Sequence, residues 1–160
     1  MNGVTTTYVL DLNTGLPQVL SDGTDAYLYG LSRIGEEDTG WDYYLGDALG
    51  SVRQLTDDIG DISLAQTYQP YGEIWSSYGD GISSFSYTGE ALDVSGFIFL
   101  RARYYAPSVG RFITRDTWGG IYEDPLSLNR WVYVKGNPAM SSDPSGLWPC
   151  PGKVLFNQSR

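Results

Sequence analysis

Glycine and proline punctuate this chain so often that a window of twelve residues rarely escapes one, which leaves an α-helix of ordinary length almost nowhere to form. The 20 glycines fall between short runs in which apolar and polar residues alternate with period two, and those runs are dense in the chain's 13 tyrosines and 5 tryptophans. Aromatic side chains suit a pleated, half-buried surface and glycine suits the reversals between strands. The expected fold is therefore all-β, made of many short strands and tight turns.

The grammar repeats along the chain. YVLDL, the turn residues 13–17 and QVLSDG read as strand, reversal and strand, and the same order returns in DAYLYGLSRIG, in WDYYLGD and in SVRQLTDDIGDISLAQTYQPYG, with a turn at 57–61. EIWSSYGDGISSFSYTG reads as a further hairpin turning at 79–81. These are degenerate repeats of a hairpin unit, each needing a neighbour to cover its apolar face. Single helical turns are expected only in DALGSV and in DPLSLNRW after Pro125. GFIFLRARYY reads as one alternating strand, with Arg101 and Arg103 on the face of Phe97 and Phe99. Arginines on such a face imply either a polar interior or carboxylates placed to meet them.

Nineteen acidic residues against ten basic ones give a net charge of −9, which disfavours contact with phosphate backbones and so nucleic-acid partners. Apolar residues make up 41% of the chain, enough for a real core. There is no histidine, and the single cysteine, Cys150, has no partner for a disulfide or a metal set, so no metal and no cofactor are expected. No apolar run is long enough to span a membrane, and the first residues carry no basic, then apolar, leader. An export signal, if the protein is secreted, is expected elsewhere.

Between Trp41 and Leu147 the chain resembles the Rhs and YD-repeat family, which includes bacterial polymorphic toxins, the cocoon subunit of insecticidal toxin complexes and the animal teneurins. The resemblance rests on YYLGDALGSVRQLTDDIG, on YQPYGE, on RARYYAPSVGRFI, on NRWVYVKGNP and on DPSGL. Leu45 stands where many relatives have histidine, Leu92 precedes Asp93 where relatives usually have arginine, and Thr117 follows Asp116 where proline is commoner. The resemblance implies hairpin repeats at 1–40, a repeat-associated core at 41–147 and a short variable tail at 148–160. It also implies part of a curled sheet or shell with a loop-rich C-terminal segment, and secretion or display at a cell surface. Its partners would be the rest of such a shell or a C-terminal toxin cargo, and strand edges left bare would favour self-association.

In the toxin members the segment ending D-P-x-G-L resembles an intramolecular aspartic protease that cuts after the leucine. On this chain the matching aspartates are Asp116 and Asp143, and the cut would separate Leu147 from Trp148. Two carboxyl groups suit the task, because hydrolysis without metal or imidazole needs one carboxylate to take a proton from water and one carboxylic acid to donate to the carbonyl oxygen. A scissile bond four residues beyond Asp143 is already tethered. Arg111 or Arg115 is expected to hold one aspartate ionised or to polarise the carbonyl. The other readings are a purely structural piece of the shell, with Asp143 a simple turn former, and an adhesion module whose aromatic faces stack on sugars.

Overall fold

A computed structural model describes residues 6–13 and 15–147 and the main chain of 150 and 151. The first eight strands form one sheet in chain order, every neighbouring pair antiparallel: β1 (Val9–Asp11), β2 (Gln18–Ser21), β3 (Ala26–Tyr29), β4 (Arg33–Glu37), β5 (Trp41–Gly46), β6 (Val52–Thr56), β7 (Ile62–Tyr68) and β8 (Ile74–Tyr78). A second sheet has the order β12-β11-β10-β9, from β9 (Ala91–Leu92), β10 (Ile98–Leu100), β11 (Arg103–Ala106) and β12 (Arg111–Phe112). A last pair joins β13 (Ser141–Ser142) to β14 (Cys150–Pro151). Helix is limited, among the described residues, to three single 3-10 turns, so the chain is all-β.

One turn recurs and explains why the meander can be written with such short strands. In DALGS the Asp47 Oδ1 accepts the N–H groups of Leu49 and Ser51, at 3.0 and 2.9 Å, while the Gly50 N–H closes onto the Asp47 carbonyl. Asp57 with Gly60 and Asp93 with Gly96 do the same. The side chain thus satisfies main-chain donors that the reversal would leave bare. The fourth residue sits at positive φ, +90° at Gly60, where a Cβ is costly. DALGSV is accordingly a hairpin turn between β5 and β6 rather than the expected turn of helix. The helical turn after Pro125 does form, as a 3-10 helix at Pro125–Leu128.

Two apolar clusters lie along the segment that links the sheets. Tyr27, Val52, Leu55, Leu64 and Phe85 form the first, with the Arg33 guanidinium 3.0 Å from the centre of the Phe85 ring. Tyr87, Ile98, Leu100, Tyr105, Phe112, Tyr133 and Val134 form the second, where the rings of Tyr105 and Tyr133 stack at 4.2 Å. Residues 85–92 stitch them together: Phe85 bridges Ala91, Val52 N–H donates to Ser86, and Thr88 N–H donates to Ser51 Oγ.

Two local expectations are corrected. GFIFLRARYY is not one strand: Leu100 pairs with Arg103 across a two-residue turn in which Arg101 has φ +56°. The turn reverses the alternation, so Arg103 joins Ile98, Leu100 and Tyr105 on the buried face, and Phe99 and Tyr104 look outward. After β8, residues 79–81 do not open a second strand. Gly79 and Gly81 instead pack against Ser63 of β7, with Gly81 N–H donating to the Ser63 carbonyl at 2.9 Å, and β8 is left as an edge.

Candidate active site

The hairpin turn hidden in the R-A-R triplet is what builds the site. By placing Arg103 at the start of β11 on the inward face, it aims the guanidinium at the C-terminal loop. Arg103 Nη2 lies 2.7 Å from Asp116 Oδ2 and 3.8 Å from Asp143 Oδ2, so the two carboxylates lie within the sum of those distances of each other. Nη1 donates to the Arg130 carbonyl at 3.0 Å, Nε donates to the Gly146 carbonyl, and the guanidinium carbon lies 3.5 Å from the centre of the Phe112 ring. Burial lowers the pKa of this guanidinium, and the charges of Asp116 and Asp143 oppose that effect.

Asp116 follows β12 and is pinned at its main chain, its N–H donating to the Arg130 carbonyl at 3.0 Å, while Oδ1 accepts the Trp118 N–H at 2.8 Å. Asp143 follows β13 and is 2% exposed. Its Oδ1 accepts the Ser145 hydroxyl at 2.9 Å and the Leu147 N–H at 3.2 Å, and its carbonyl accepts the Gly146 N–H. DPSGL is thus the same aspartate and glycine turn that joins the strands of the meander, buried here against a cation instead of facing solvent.

The loop is docked through its main chain. Three consecutive carbonyls, those of Pro144, Ser145 and Gly146, accept in order from Arg101 Nη1 at 2.5 Å, Ala102 N–H at 3.2 Å and Arg103 Nε. Arg101 is itself held by Glu90 at 2.8 Å. A small cavity of about 30 Å³ has Arg103, Asp116, Asp143 and Leu147 in its lining, with Trp118, Asn129 and Lys135 among its other walls.

The structure therefore brings Asp116 and Asp143 together, and the arginine between them is Arg103. Arg111 and Arg115 are exposed, Arg111 on a groove beside Tyr71 and Val109, and of residues 111–116 only Phe112 and Asp116 are buried. Asp93 is a turn former next to β10. Leu147 is 44% exposed, and Trp148 lies outside the described residues, as does the side chain of Cys150. Tyr133 also escaped notice in the sequence. It is fully buried, and its hydroxyl has no hydrogen-bond partner among the described residues. No group of three or more metal-ligating side chains occurs among those residues.

The architecture, an antiparallel meander of short strands closed by a loop-rich segment, is that of a YD-repeat wall. No family model matches the chain. It is 32% identical over 112 residues to the toxin subunit YenC1 of Yersinia entomophaga, a match that takes in 67% of this chain and 11% of that protein. It is 31% identical over 132 residues to the tRNA3(Ser)-specific nuclease WapA of Bacillus spizizenii, covering 78% of this chain and 6% of WapA. The fold superposes on the Photorhabdus luminescens Tc holotoxin pore with a TM-score of 0.68 at 22% identity, over 91% of this chain and 7% of that one. The chain belongs to the Rhs and YD-repeat family. It spans about a tenth or less of the length of these relatives.

Proposed function

We propose that this chain is the closing, core-associated segment of an Rhs-type β-shell that encloses or plugs a toxin cargo, and that it cuts itself once, after Leu147. The observation that carries the catalytic half is the shared cation: two buried carboxylates meet one guanidinium nitrogen, and the loop that bears the bond is hydrogen-bonded to the same arginine. Hydrolysis by two carboxyls needs one of them ionised and the other protonated. In that state the ionised carboxyl takes a proton from water as the water oxygen bonds to the Leu147 carbonyl carbon, and the protonated carboxyl gives its proton to the carbonyl oxygen. As the tetrahedral intermediate collapses, the carboxyl that took the water proton gives it to the nitrogen of residue 148, the C–N bond breaks, and the other carboxylate takes a hydroxyl proton back, leaving a carboxyl at Leu147 and an amine at residue 148. Arg103 supplies fixed positive charge beside the developing oxyanion.

The test is the intact mass of the purified protein over days at pH values from about 5 to about 7. A species ending at Leu147 is expected, and Asp116→Asn and Asp143→Asn should each abolish it. A second, purely structural reading has its own support, since Asp143 makes the bonds of a turn former as Asp47, Asp57 and Asp93 do. A constant mass throughout would favour that reading, with Arg103 acting as a staple.

The shell half rests on β1 and β8, which are edges of the eight-stranded sheet among the described residues, with Trp75 and Tyr78 of β8 strongly exposed. Such edges are where further repeats of a longer chain would add. Concentration-dependent association of the isolated segment in sedimentation would agree, and a monomer at every concentration would count against it.

A further inference from the structure

The contacts that dock the DPSGL loop are nearly all to its main chain. The tip of the β10 and β11 hairpin gives one donor to each of three successive carbonyls, at Pro144, Ser145 and Gly146. Asp143 Oδ1 takes the N–H of the residue after them. Of the loop's side chains, Asp143 faces Arg103, the Ser145 hydroxyl bonds within the loop to Asp143 and the Leu147 N–H, and Leu147 is 44% exposed.

One position nevertheless admits a single residue type. A Cβ on Gly146 would lie 2.2 Å from the Leu100 carbonyl oxygen and 3.0 Å from the Arg103 nitrogen, both main-chain atoms that cannot swing aside. The equivalent glycines of the ordinary turns differ: around Gly60 and Gly96 a Cβ would meet nothing within 4 Å. All three share positive φ, at +68°, +90° and +82°, so the turn alone does not account for the tight fit at Gly146.

We infer that residues 101–103 form a main-chain-reading subsite and that Gly146 is the specificity-determining residue: the bond cut is the one that follows the first residue after Gly146, whatever side chain that residue carries. The inference rests on self-cleavage as proposed above. Once Gly146 is seated, the main chain reaches a fixed number of bonds further to the carboxyls, and a misplacement of about 1 Å lowers a rate by ~100-fold.

Intact-mass kinetics test it with three variants beside the wild type. Gly146→Ala should lose at least about tenfold in cleavage rate, while Gly96→Ala, which meets the same φ penalty without the collision, should cut at the wild-type rate. Cleavage of Gly146→Ala at the wild-type rate, or equal losses in both variants, overturns the inference. The third variant keeps Gly146 in its slot and inserts one alanine between Gly146 and Leu147, so it tests register even if Gly146→Ala does not fold. The product should end at the inserted alanine. A product ending at the leucine, or no product at all, means the side chain is read and overturns the inference. If the wild type itself stays intact, the self-cleavage reading fails first, and the subsite loses its purpose with it.

Discussion

The main-chain N–H of Leu147 donates to Asp143 Oδ1 across 3.2 Å, and the carbonyl of the same peptide accepts from Arg103 Nε. Both ends of the Gly146 to Leu147 peptide are thus held by the residues of the acid site. This grip does not prepare that peptide for hydrolysis, because a carboxylate oxygen that accepts its N–H cannot protonate its nitrogen as a leaving group. In the proposed self-cleavage it would fix the loop so that the next peptide is the one presented. Under the proposed self-cleavage the carboxyls would carry two roles, anchoring through Asp143 Oδ1 and chemistry through the Oδ2 atoms that face Arg103.

Arg103 should be among the most destabilising positions to neutralise. Its side chain and those of Asp116 and Asp143 are nearly inaccessible, and removing one partner of a buried ion group leaves the others uncompensated, a loss of about 3–5 kcal/mol. Arg103→Met should lower the urea unfolding free energy by that amount, with Arg103→Lys in between because it keeps the charge and loses the fork that reaches Arg130 and Gly146. A loss below about 1 kcal/mol, the worth of a surface pair, would show that the cluster is wetter than it looks.

The position of Arg103 also marks where the sequence stops being readable. The meander was legible, because Asp-x-x-Gly turns separate period-two runs and both features are local. The two aspartates were legible through the family likeness. The cation between them was not, since RARYY continues the alternation of GFIFL and only the observed pairing of Leu100 with Arg103 reveals the turn. A two-residue turn at Arg101 and Ala102 contains no Gly, Asn or Asp to announce it. Its positive φ at Arg101 is sustained instead by contacts distant in sequence, to Glu90 and to the Pro144 carbonyl. Tyr133 was hidden for the same reason, its burial being set by rings from Tyr87, Tyr105 and Phe112.

Tyr133→Phe should leave stability unchanged or raise it. The hydroxyl is buried without a partner among the described residues, and an unsatisfied buried polar group costs about 1–3 kcal/mol. Deleting the oxygen keeps the stack on Tyr105 and removes the penalty. Thermal unfolding should give a midpoint equal to or above that of the wild type, whereas a clear drop would mean that the hydroxyl is paired, with an ordered water or with Thr88, Tyr87 or the Asp143 main chain beside it.

The core of the first sheet depends on Leu55, which is fully buried between Tyr27, Val52, Leu64 and Phe85. Leu55→Ala should cost about 2–5 kcal/mol through lost contacts and the cavity left behind. Leu31, 90% exposed, serves as the contrast, and Leu31→Ala should stay within about 0.5 kcal/mol. Urea titrations of the two variants would show whether the meander has the single cooperative core that its contacts describe.

Glu36 should make stability fall as pH rises through the mildly acidic range. It is buried on β4, where Tyr44 donates its hydroxyl to Oε2, Arg33 lies nearby, and Asp25 and Asp42 add negative charge. Burial, helped by those two aspartates, raises its pKa from 4.5 to about 7, against the opposing pull of Tyr44 and Arg33. Between these values the folded protein keeps a proton that the unfolded chain has released, so the folded state binds more protons and loses stability with each step upward in pH. Below about 4.5 both states are protonated and the penalty vanishes, and above about 7 it is complete. Glu36→Gln keeps the shape and cannot ionise. Urea midpoints of wild type and variant, measured from pH 4 to 8, should therefore separate in favour of the variant as pH increases, while the many exposed carboxylates cancel in the difference. Parallel profiles would mean that Glu36 titrates as it does in water and that β4 and β5 are held together without a buried acid.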